Sequence, residues 1–397
     1  MSPFDEFGGD IAPLSPQKSY GLDIIGCGTS VALISSPISE LGKPPGELGN
    51  RAARSNKAVK KTLMLRNALR QLRHGFNRPF MVMFETTLHC NMKCGYCAIW
   101  QNQQPEDRAL RERVFARMDE AAEFGVFAWS FSGGEPLMNP NMPDYIEYAA
   151  RKGFYTSMPT NGLALKKYAE ACVKLDQLEV SIDTLDREKF ARRRGIDGLP
   201  TILSALDHIL EKLGFRTIQI NAAVDLENLD DLPALAKYCD ERGFLLHTEA
   251  VHNVVRTTWK TEDVEMRNEE LDRVAAYITR LKKEHKCVRF YRDYYNFYRN
   301  NGFSKKFPCR SASHLINMRP DGSIQFPCAF VSLHRGAPEM SLQEIYASRE
   351  VREIIRQSPQ MWDFCKGCKI GCPYEVSAYR NSPLTAIRSA LDFLQVA

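Results

Sequence analysis

The chain has 397 residues, which predicts two or three domains at about 150 residues each. Its 44% hydrophobic and 25% charged residues are ordinary for a globular protein, and its net charge of +5 is too small to argue for a nucleic-acid partner. Twelve cysteines are the unusual feature, because most of them lie in tight groups of the kind that bind metal.

Residues 1–77 are predicted to form an extension that is only partly structured. The first 50 residues are rich in Gly, Pro and Ser and show little periodicity. Their acidic residues and their lack of an apolar run argue against a secretory signal, which predicts a cytoplasmic protein. Residues 57–74 then predict a basic amphipathic helix. We favour packing of this helix on the next domain, with docking on a membrane surface or an anionic partner as the alternative.

Residues 78–285 alternate between strand-like and helix-like patterns. The strand-like runs lie at 80–86, 126–131, 154–159, 177–182, 216–224 and 244–251. Helical patterns between them include 109–124, 164–175, 201–213, 231–242 and 267–284. Alternating strands and helices predict a parallel sheet. Six units, fewer than the eight of a closed barrel, predict an α/β fold with a partial (β/α)6 TIM-like barrel whose chemistry lies at the carboxyl ends of the strands.

Three cysteines follow the first predicted strand in the spacing C-x3-C-x2-C. They are Cys90, Cys94 and Cys97, and Tyr96 stands just before the last of them. Three thiolates this close together can bind three irons of a [4Fe–4S] cluster. The fourth iron then stays open to a small molecule, as in a catalytic metal site.

Polar and glycine-rich segments follow the next strands at the same predicted edge of the sheet. They are Ser132-Gly133-Gly134-Glu135-Pro136 after the second strand, Thr160-Asn161-Gly162 after the third, Ser181-Ile182-Asp183 at the end of the fourth, and Asn221 within the fifth. The glycines allow close approach of a ligand, free N–H groups there can meet its carboxylate, and Glu135 can accept from its amino group. Alternation places Ser181 and Asp183 on one face, where both can bond ribose hydroxyls. Each motif alone is weak, but their order along one edge is specific.

The cysteine motif and these ordered segments, over residues 80–250, resemble the radical S-adenosylmethionine (radical SAM) family. The resemblance implies that the three cysteines bind a [4Fe–4S] cluster and that S-adenosylmethionine binds the open iron. One electron, from a flavodoxin- or ferredoxin-type donor, then yields a 5′-deoxyadenosyl radical that removes a hydrogen atom from the substrate. The implied cofactor-binding residues are Tyr96, Gly133, Gly134, Glu135, Thr160, Asn161, Ser181, Asp183, Arg194 and Asn221.

Two of these assignments carry alternatives. Tyr96 either packs against the adenine or covers the cluster. The run 192–194 holds three arginines, of which one, assigned to Arg194, is expected to reach the carboxylate of the cofactor. Solvated surface charge is the favoured interpretation for the other two.

Residues 286–397 hold a second cysteine group and predict a small cysteine-rich C-terminal domain built around metal. Asp321-Gly322 predicts a tight turn between two short strands, which brings two of the cysteines together. Four thiolates fit a tetrahedral zinc and an iron–sulfur cluster equally well. The four are Cys309, Cys328, Cys365 and Cys368.

Beside a radical SAM core, this second group resembles the auxiliary-cluster domains called SPASM and twitch. Too few cysteines follow Cys368 for two auxiliary clusters, so the resemblance implies one auxiliary [4Fe–4S] cluster, with Cys372 as a reserve ligand. Residues 288–299 repeat tyrosines at helical spacing, which favours packing between the domains over the lining of a substrate channel. His252, after the sixth strand, is a weaker candidate for a site residue.

The leading hypothesis is a radical SAM oxidoreductase or transferase with one auxiliary cluster. Two amphipathic segments, 57–74 and 384–394, slightly favour a lipid or isoprenoid substrate and peripheral contact with the inner face of the membrane. A peptide-modifying enzyme, acting in peptide or protein maturation, ranks second because no peptide-recognition module is evident before the barrel. The rival from another class is a zinc-stabilised binding protein without catalysis.

Overall fold

The structure, a computed structural model, describes residues 78–97, 99–102, 108–215, 217–252, 266–289, 292–360 and 362–381. The helices predicted at 57–74 and 384–394 therefore lie outside the described residues. Within those ranges, no helix combines the length and the apolar character that crossing a lipid bilayer requires.

One sheet of ten strands organises the described part of the chain. The strands are β1 (Met81–Glu85), β2 (Ala128–Ser132), β3 (Tyr155–Thr160), β4 (Gln177–Ser181), β5 (Ile218–Val224), β6 (Leu245–Ala250), β7 (Val288–Arg289), β8 (Leu315–Met318), β9 (Ile324–Cys328) and β10 (Val331–Gly336). Their order is β10-β9-β8-β1-β2-β3-β4-β5-β6-β7. Pairing is parallel from β8 through β1 to β7, and antiparallel in the β8-β9-β10 meander.

The six predicted strands are all present, and the sheet is open, as expected for a partial TIM-like barrel. Strand edges differ from the predicted ones by two residues at most. A closed barrel would need its two edge strands to pair, and here β10 and β7 end the sheet.

Helices follow most of the strands along the described part of the chain, and those next to the parallel strands pack on the outer face of the sheet. The helices are α1 (Arg111–Phe124), α2 (Met142–Lys152), α3 (Ala169–Cys172), α4 (Arg187–Arg194), α5 (Leu199–Lys212), α6 (Leu232–Arg242), α7 (Asn268–Glu284), α8 (Arg292–Arg299), α9 (Ser311–His314), α10 (Leu342–Ala347), α11 (Arg349–Gln357) and α12 (Gly371–Asn381). Short 3-10 turns occupy Ile99–Asn102, Pro136–Met138, Leu229–Asp231, Ser358–Gln360 and Asp363–Cys365. The pattern at 164–175 predicts a longer helix than the one observed. Residues 164–168 form turns, and only Ala169–Cys172 is helical, as α3.

Side-chain alternation gives the sheet two different faces. Outward residues such as Phe84, Trp129 and Val180 join the main apolar core with the helices. Many of the residues between them are buried but polar, and these include Glu85, Ser130, Gln177, Glu179, Gln219 and His247. A buried polar face costs stability unless its groups find partners or a ligand. The sequence therefore builds a hydrogen-bonding interior that opens at the carboxyl ends of the strands.

The C-terminal strands extend the same sheet. Strand β8 lies beside β1, with Met81 opposite Leu315. The predicted turn joins β8 to β9: Gly322 has φ of 84°, and Asp321 accepts hydrogen bonds from Ser323. The sheet thus runs across the boundary predicted at residue 286, while the domain limits themselves stay predictions.

A buried arginine fastens this C-terminal hairpin to the first helix. Arg117 of α1 is 2% exposed, and its guanidinium donates to the carbonyls of Gly322, Ala337 and Pro338 at 3.0–3.3 Å. It also pairs with Glu120 at 2.7 Å. One side chain therefore binds three carbonyls of two loops, of which that of Gly322 is buried.

We expect Arg117→Gln to lower the free energy of unfolding by about 2 kcal/mol, because the shorter side chain leaves the buried carbonyl of Gly322 unsatisfied. Urea denaturation followed by circular dichroism measures this. Arg113→Gln, on the exposed side of the same helix, is the matched control and should change stability little. Equal loss in both variants would contradict the role given to Arg117.

Candidate functional site

A cavity of about 220 Å³ lies at the carboxyl ends of the parallel strands. Its wall combines the loop after β1, the ends of β2 to β6, and two side chains of the C-terminal region, Phe330 and Ile370. Most of the predicted cofactor residues meet there. Those in the wall are Tyr96, Gly133, Gly134, Glu135, Thr160, Asn161, Ser181, Arg194 and Asn221, together with Cys90, Cys94 and Cys97.

The cysteine loop is held by the end of α4. The N–H groups of Lys93 and Gly95 donate to the carbonyls of Arg194 and Arg193 at 3.1 and 3.0 Å. None of the three cysteines is in a disulfide. Burial raises the pKa of Cys90 to about 11 and that of Cys97 to about 12, so binding a metal there must release protons.

The donor set fits a multi-iron cluster. In the ranges that the structure describes, no group of three His, Cys, Asp or Glu side chains is arranged to hold a single metal ion. A [4Fe–4S] cluster makes a different demand, because each of its three thiolates binds a different iron. Nitrogen donors also lie beside two sulfurs: Arg194 Nη1 is 3.9 Å from Cys94 Sγ, and Asn161 Nδ2 is 3.9 Å from Cys90 Sγ.

The two glycines after β2 pack against the backbone that leads into the cysteine loop. A Cβ on Gly133 would lie 2.1 Å from the carbonyl oxygen of Thr87, and one on Gly134 would lie 2.2 Å from that of His89. The N–H groups of Gly134 and Glu135 donate to these same carbonyls, both at 2.8 Å. These two N–H groups are therefore not available to a ligand carboxylate, contrary to the prediction. The glycines permit contact between two loops.

Glu135 is buried and already oriented by its neighbours. Its Oε1 accepts from the Thr160 hydroxyl at 2.7 Å and from the N–H of Leu137 at 3.1 Å, and its Oε2 accepts from the N–H of Asn161 at 2.6 Å. Burial raises the pKa of Glu135, and these three hydrogen bonds oppose that shift. The Asn161 side chain continues to Asn91 at 2.6 Å, which links the end of β3 to the cysteine loop.

Asp183 differs from its predicted role. It is fully buried and does not line the cavity. Its Oδ2 accepts from Tyr96 Oη at 2.6 Å, and its Oδ1 accepts from Arg194 at 2.6 Å and from the N–H of Ala223 at 2.9 Å. The carboxylate is therefore engaged by the protein and positions Arg194 and Tyr96, instead of facing a ribose.

The arginine run is more deeply packed than predicted. Only Arg192 is exposed. Arg193 is 6% exposed and pairs with Asp225 and Glu227 at 2.9 and 2.8 Å. Both buried guanidiniums lie over the Tyr96 ring, at 5.5 and 5.6 Å from its centroid. Tyr96 thus contacts cations on one side while it reaches the cavity wall.

Asn221 joins the cavity wall to the polar interior. Its side-chain nitrogen donates to Glu179 at 2.8 Å, and its oxygen accepts from Gln219 at 2.7 Å. Burial raises the pKa of Glu179 to about 8. Ser181, one strand away, also lines the cavity.

The second cysteine group contacts the same apolar layer as the first, formed by Met83, Ile99, Ala329, Phe330 and Ile370. Cys97 of the first group and Cys328 and Cys368 of the second all pack against this layer. Burial raises the pKa of Cys328 to about 12, and the neighbouring Cys368 adds to the shift. Cys372 is disulfide-bonded in the structure, so it has no free thiol to act as the reserve ligand of the auxiliary cluster.

The tyrosines of 288–299 that the structure describes pack between β6 and the C-terminal region. Tyr294 stacks with Phe297 and contacts the Tyr374 ring at a tilt, and Tyr298 Oη donates to the carbonyl of Val251 at 3.2 Å. None of them is in the cavity wall. Their packing agrees with the favoured interpretation of this segment.

Three cavity residues on or just after β6 extend the site beyond the predicted set. They are His247, Glu249 and His252, of which only His252 is a predicted candidate. The signal for the other two is the alternation within β6, where polar residues at 247 and 249 share the inner face. A polar residue on an inward strand position, near the carboxyl end, is the feature that identifies them.

Comparison with known proteins agrees with this geometry. Residues 84–239 match the family model of the radical SAM superfamily. GTP 3′,8-cyclase of Mycolicibacterium smegmatis is 33% identical over 169 residues, which cover 40% of this chain and 46% of the relative. PqqA peptide cyclase of Granulibacter bethesdensis is 24% identical over 310 residues, or 73% of this chain and 79% of the relative.

Among solved structures, the chain is similar to SuiB of Streptococcus suis bound to the precursor peptide SuiA, with a TM-score of 0.59 and 18% identity over 73% of this chain and 70% of SuiB. SuiB bound to S-adenosylmethionine gives the same TM-score, with 19% identity over 77% of this chain and 75% of SuiB. Such likeness shows the fold. The chain spans about half the length of the GTP 3′,8-cyclases it matches. With the family match, the open parallel sheet and the cysteine loop after β1, the chain carries a radical SAM domain.

Proposed function

We propose that this chain is a radical SAM enzyme that carries one auxiliary [4Fe–4S] cluster and modifies a peptide. The observation that carries the proposal is the single cavity in which Cys90, Cys94 and Cys97 lie together with Glu135. Three thiols supply ligands for three irons, and a preoriented carboxylate beside them suits the amino group of a ligand on the fourth.

The residues present fit this cofactor pair. Cys90, Cys94 and Cys97 would hold the cluster, and the nearby nitrogens of Arg194 and Asn161 suit the negative charge of its thiolates. When bound, the cluster and S-adenosylmethionine supply reductive cleavage to a 5′-deoxyadenosyl radical, which abstracts a hydrogen atom from the substrate. The electron would come from a flavodoxin- or ferredoxin-type donor.

The protein's own part is to position the ligands and exclude water. Glu135 would accept a hydrogen bond from the amino group of S-adenosylmethionine, since Thr160 and Asn161 already fix its two oxygens. Ile99, Phe330 and Ile370 close the cavity on the side of the C-terminal region. An apolar closure of this kind protects a reactive species from solvent.

A peptide is a better-supported substrate class than a lipid. PqqA peptide cyclase and SuiB, with its bound precursor peptide, both resemble this chain over about three quarters of its length. The lean toward a lipid or isoprenoid rests on segments 57–74 and 384–394, which lie outside the described residues. We therefore propose a peptide, and not a lipid, as the substrate. Cytoplasmic localisation stays a prediction.

The auxiliary cluster would be held by Cys309, Cys328, Cys365 and Cys368. Cys368 lies near enough to Cys309 and Cys328 to raise the pKa of both thiols electrostatically. All four stand outside disulfides. Four thiolates would complete the ligation of a cluster, which suits electron transfer better than direct contact with substrate.

Cys94→Ala should abolish formation of 5′-deoxyadenosine from S-adenosylmethionine and dithionite, because the first cluster loses a ligand. Iron in the anaerobically purified protein should fall from about eight to about four per chain. Iron assay and chromatography of the products measure both effects. A fully active Cys94→Ala would defeat the proposal, and zinc without iron in the wild type would support the binding-protein rival.

Cys328→Ala should give the complementary result. Iron should again fall toward about four per chain, but the remaining cluster should still be the one that responds to S-adenosylmethionine in electron paramagnetic resonance. Loss of that response would mean that the second cysteine group does not hold a separate cluster.

Gly134→Ala should weaken binding of S-adenosylmethionine by at least about tenfold, because a Cβ there meets backbone at 2.2 Å and must displace Glu135 or the cysteine loop. Equilibrium dialysis of the cluster-loaded protein measures this affinity. Gly95→Ala is the matched control, since a Cβ on Gly95 meets nothing within 4 Å. Unchanged affinity in Gly134→Ala would contradict the positioning role of this contact.

A further inference from the structure

Glu249 is fixed from three sides at the β6 end of the cavity. It lies on the inner face of β6 and forms part of the cavity wall. Tyr294 of α8 donates to its Oε1 at 3.2 Å. Gly371, the first residue of α12, backs the same oxygen so closely that a Cβ there would lie 2.7 Å from it. One carboxylate oxygen is therefore enclosed by the protein.

The second oxygen, Oε2, has no hydrogen-bond donor among the residues that the structure describes. Glu249 also forms no ion pair within those residues, whereas Arg194 in the same wall is paired with Asp183. Glu135, the other carboxylate of the wall, accepts three hydrogen bonds. Glu249 thus presents an uncompensated acceptor to the cavity.

No cation in the described part of the chain compensates the charge of Glu249 itself. Burial raises the pKa of Glu249 to about 7, with the Tyr294 hydrogen bond as the opposing influence and no cation contributing. Glu179 lies near enough for Glu249 to raise its pKa further. Burial and the charge of Arg289 lower the pKa of His247 to about 4, so His247 is neutral at pH 7. A ligand with a positive charge would compensate the charge of the Glu249 carboxylate.

We propose that Glu249, oriented by Tyr294, forms a substrate subsite that binds a positively charged nitrogen, the amine of a lysine or the guanidinium of an arginine in a peptide. The inference rests on the proposed function, because it assumes that the cavity admits a peptide side chain. Tyr294 holds Oε1, so Oε2 is presented in one orientation and the cation meets a preorganised acceptor. A charge-assisted hydrogen bond of this kind is about twice as strong as a neutral one.

The test uses the cluster-loaded full chain with S-adenosylmethionine present and two probes of the same shape. N-acetyl-arginine amide is cationic, and N-acetyl-citrulline amide is its neutral counterpart. Calorimetry or equilibrium dialysis should show that the wild type binds the arginine probe about tenfold more tightly. In Glu249→Gln this preference should fall below about twofold, because the neutral amide cannot pair with the charge.

Two further variants separate charge from structure. Gly371→Ala keeps the carboxylate but displaces it, so it should also reduce the preference, which keeps the test decisive if Glu249→Gln folds poorly. Glu350→Gln, at an exposed position of α11, removes one negative charge outside the cavity wall and should keep the full preference. Equal binding of the two probes by the wild type, or an unchanged preference in Glu249→Gln, would overturn the subsite.

The outcome for the subsite is distinct from the outcome for the proposed function. Iron content and 5′-deoxyadenosine formation in the wild type decide whether the chain is a radical SAM enzyme. The arginine preference decides the subsite, and it is measured without turnover. Weaker binding of S-adenosylmethionine in Glu249→Gln, with the probe preference retained, would assign Glu249 to the cofactor instead and would also overturn the inference.

Discussion

The close backbone contact between the loops after β1 and β2 is the constraint on which the site depends. Gly133 and Gly134 lie so near the carbonyls of Thr87 and His89 that no side chain fits between them. The contact fixes the approach to Cys90 and the position of Glu135 together. Glu135 then holds the end of β3 through Thr160 and Asn161, and Asn161 returns to the cysteine loop through Asn91. Protein hydrogen bonds alone therefore preorganise this side of the cavity.

A second buried network holds the opposite side. Burying Arg194 is costly unless an anion accompanies it, and Asp183 supplies that anion at 2.6 Å. The same carboxylate accepts from Tyr96, so the cysteine loop is tied to the segment that follows β4. Removing Asp183 would leave a buried cation beside Cys94 without a partner. This arrangement explains why a residue outside the cavity wall is nevertheless part of the site.

The strands and the edge where the site lies could be predicted because both follow from periodicity: apolar runs mark the strands, and polar residues follow them. The partners of the buried charges could not be predicted from the sequence. The sequence predicts that Asp183 contacts the bound cofactor, because alternation shows which face of the sheet it occupies. Only the fold shows that Tyr96 and Arg194 are its partners. Arg193 is likewise predicted to be a solvated surface charge, because its partners Asp225 and Glu227 lie on another loop. Glu249 carries no local motif, and its importance depends on Tyr294 and Gly371, which are distant in the chain.

Continuity of the sheet explains how the two cysteine groups come to pack against one apolar layer. Strand β1 leads into Cys90, and it pairs on one side with β2 and on the other with β8, whose hairpin partner β9 ends at Cys328. The segment that follows supplies Phe330, and the loop after Cys368 supplies Ile370 and then Gly371 against Glu249. The segment that both cysteine groups contact is thus also the one that closes the cavity and backs the proposed cation subsite. A change in the C-terminal region would alter the surroundings of the second cysteine group and the shape offered to the substrate at once, because the same few residues build both.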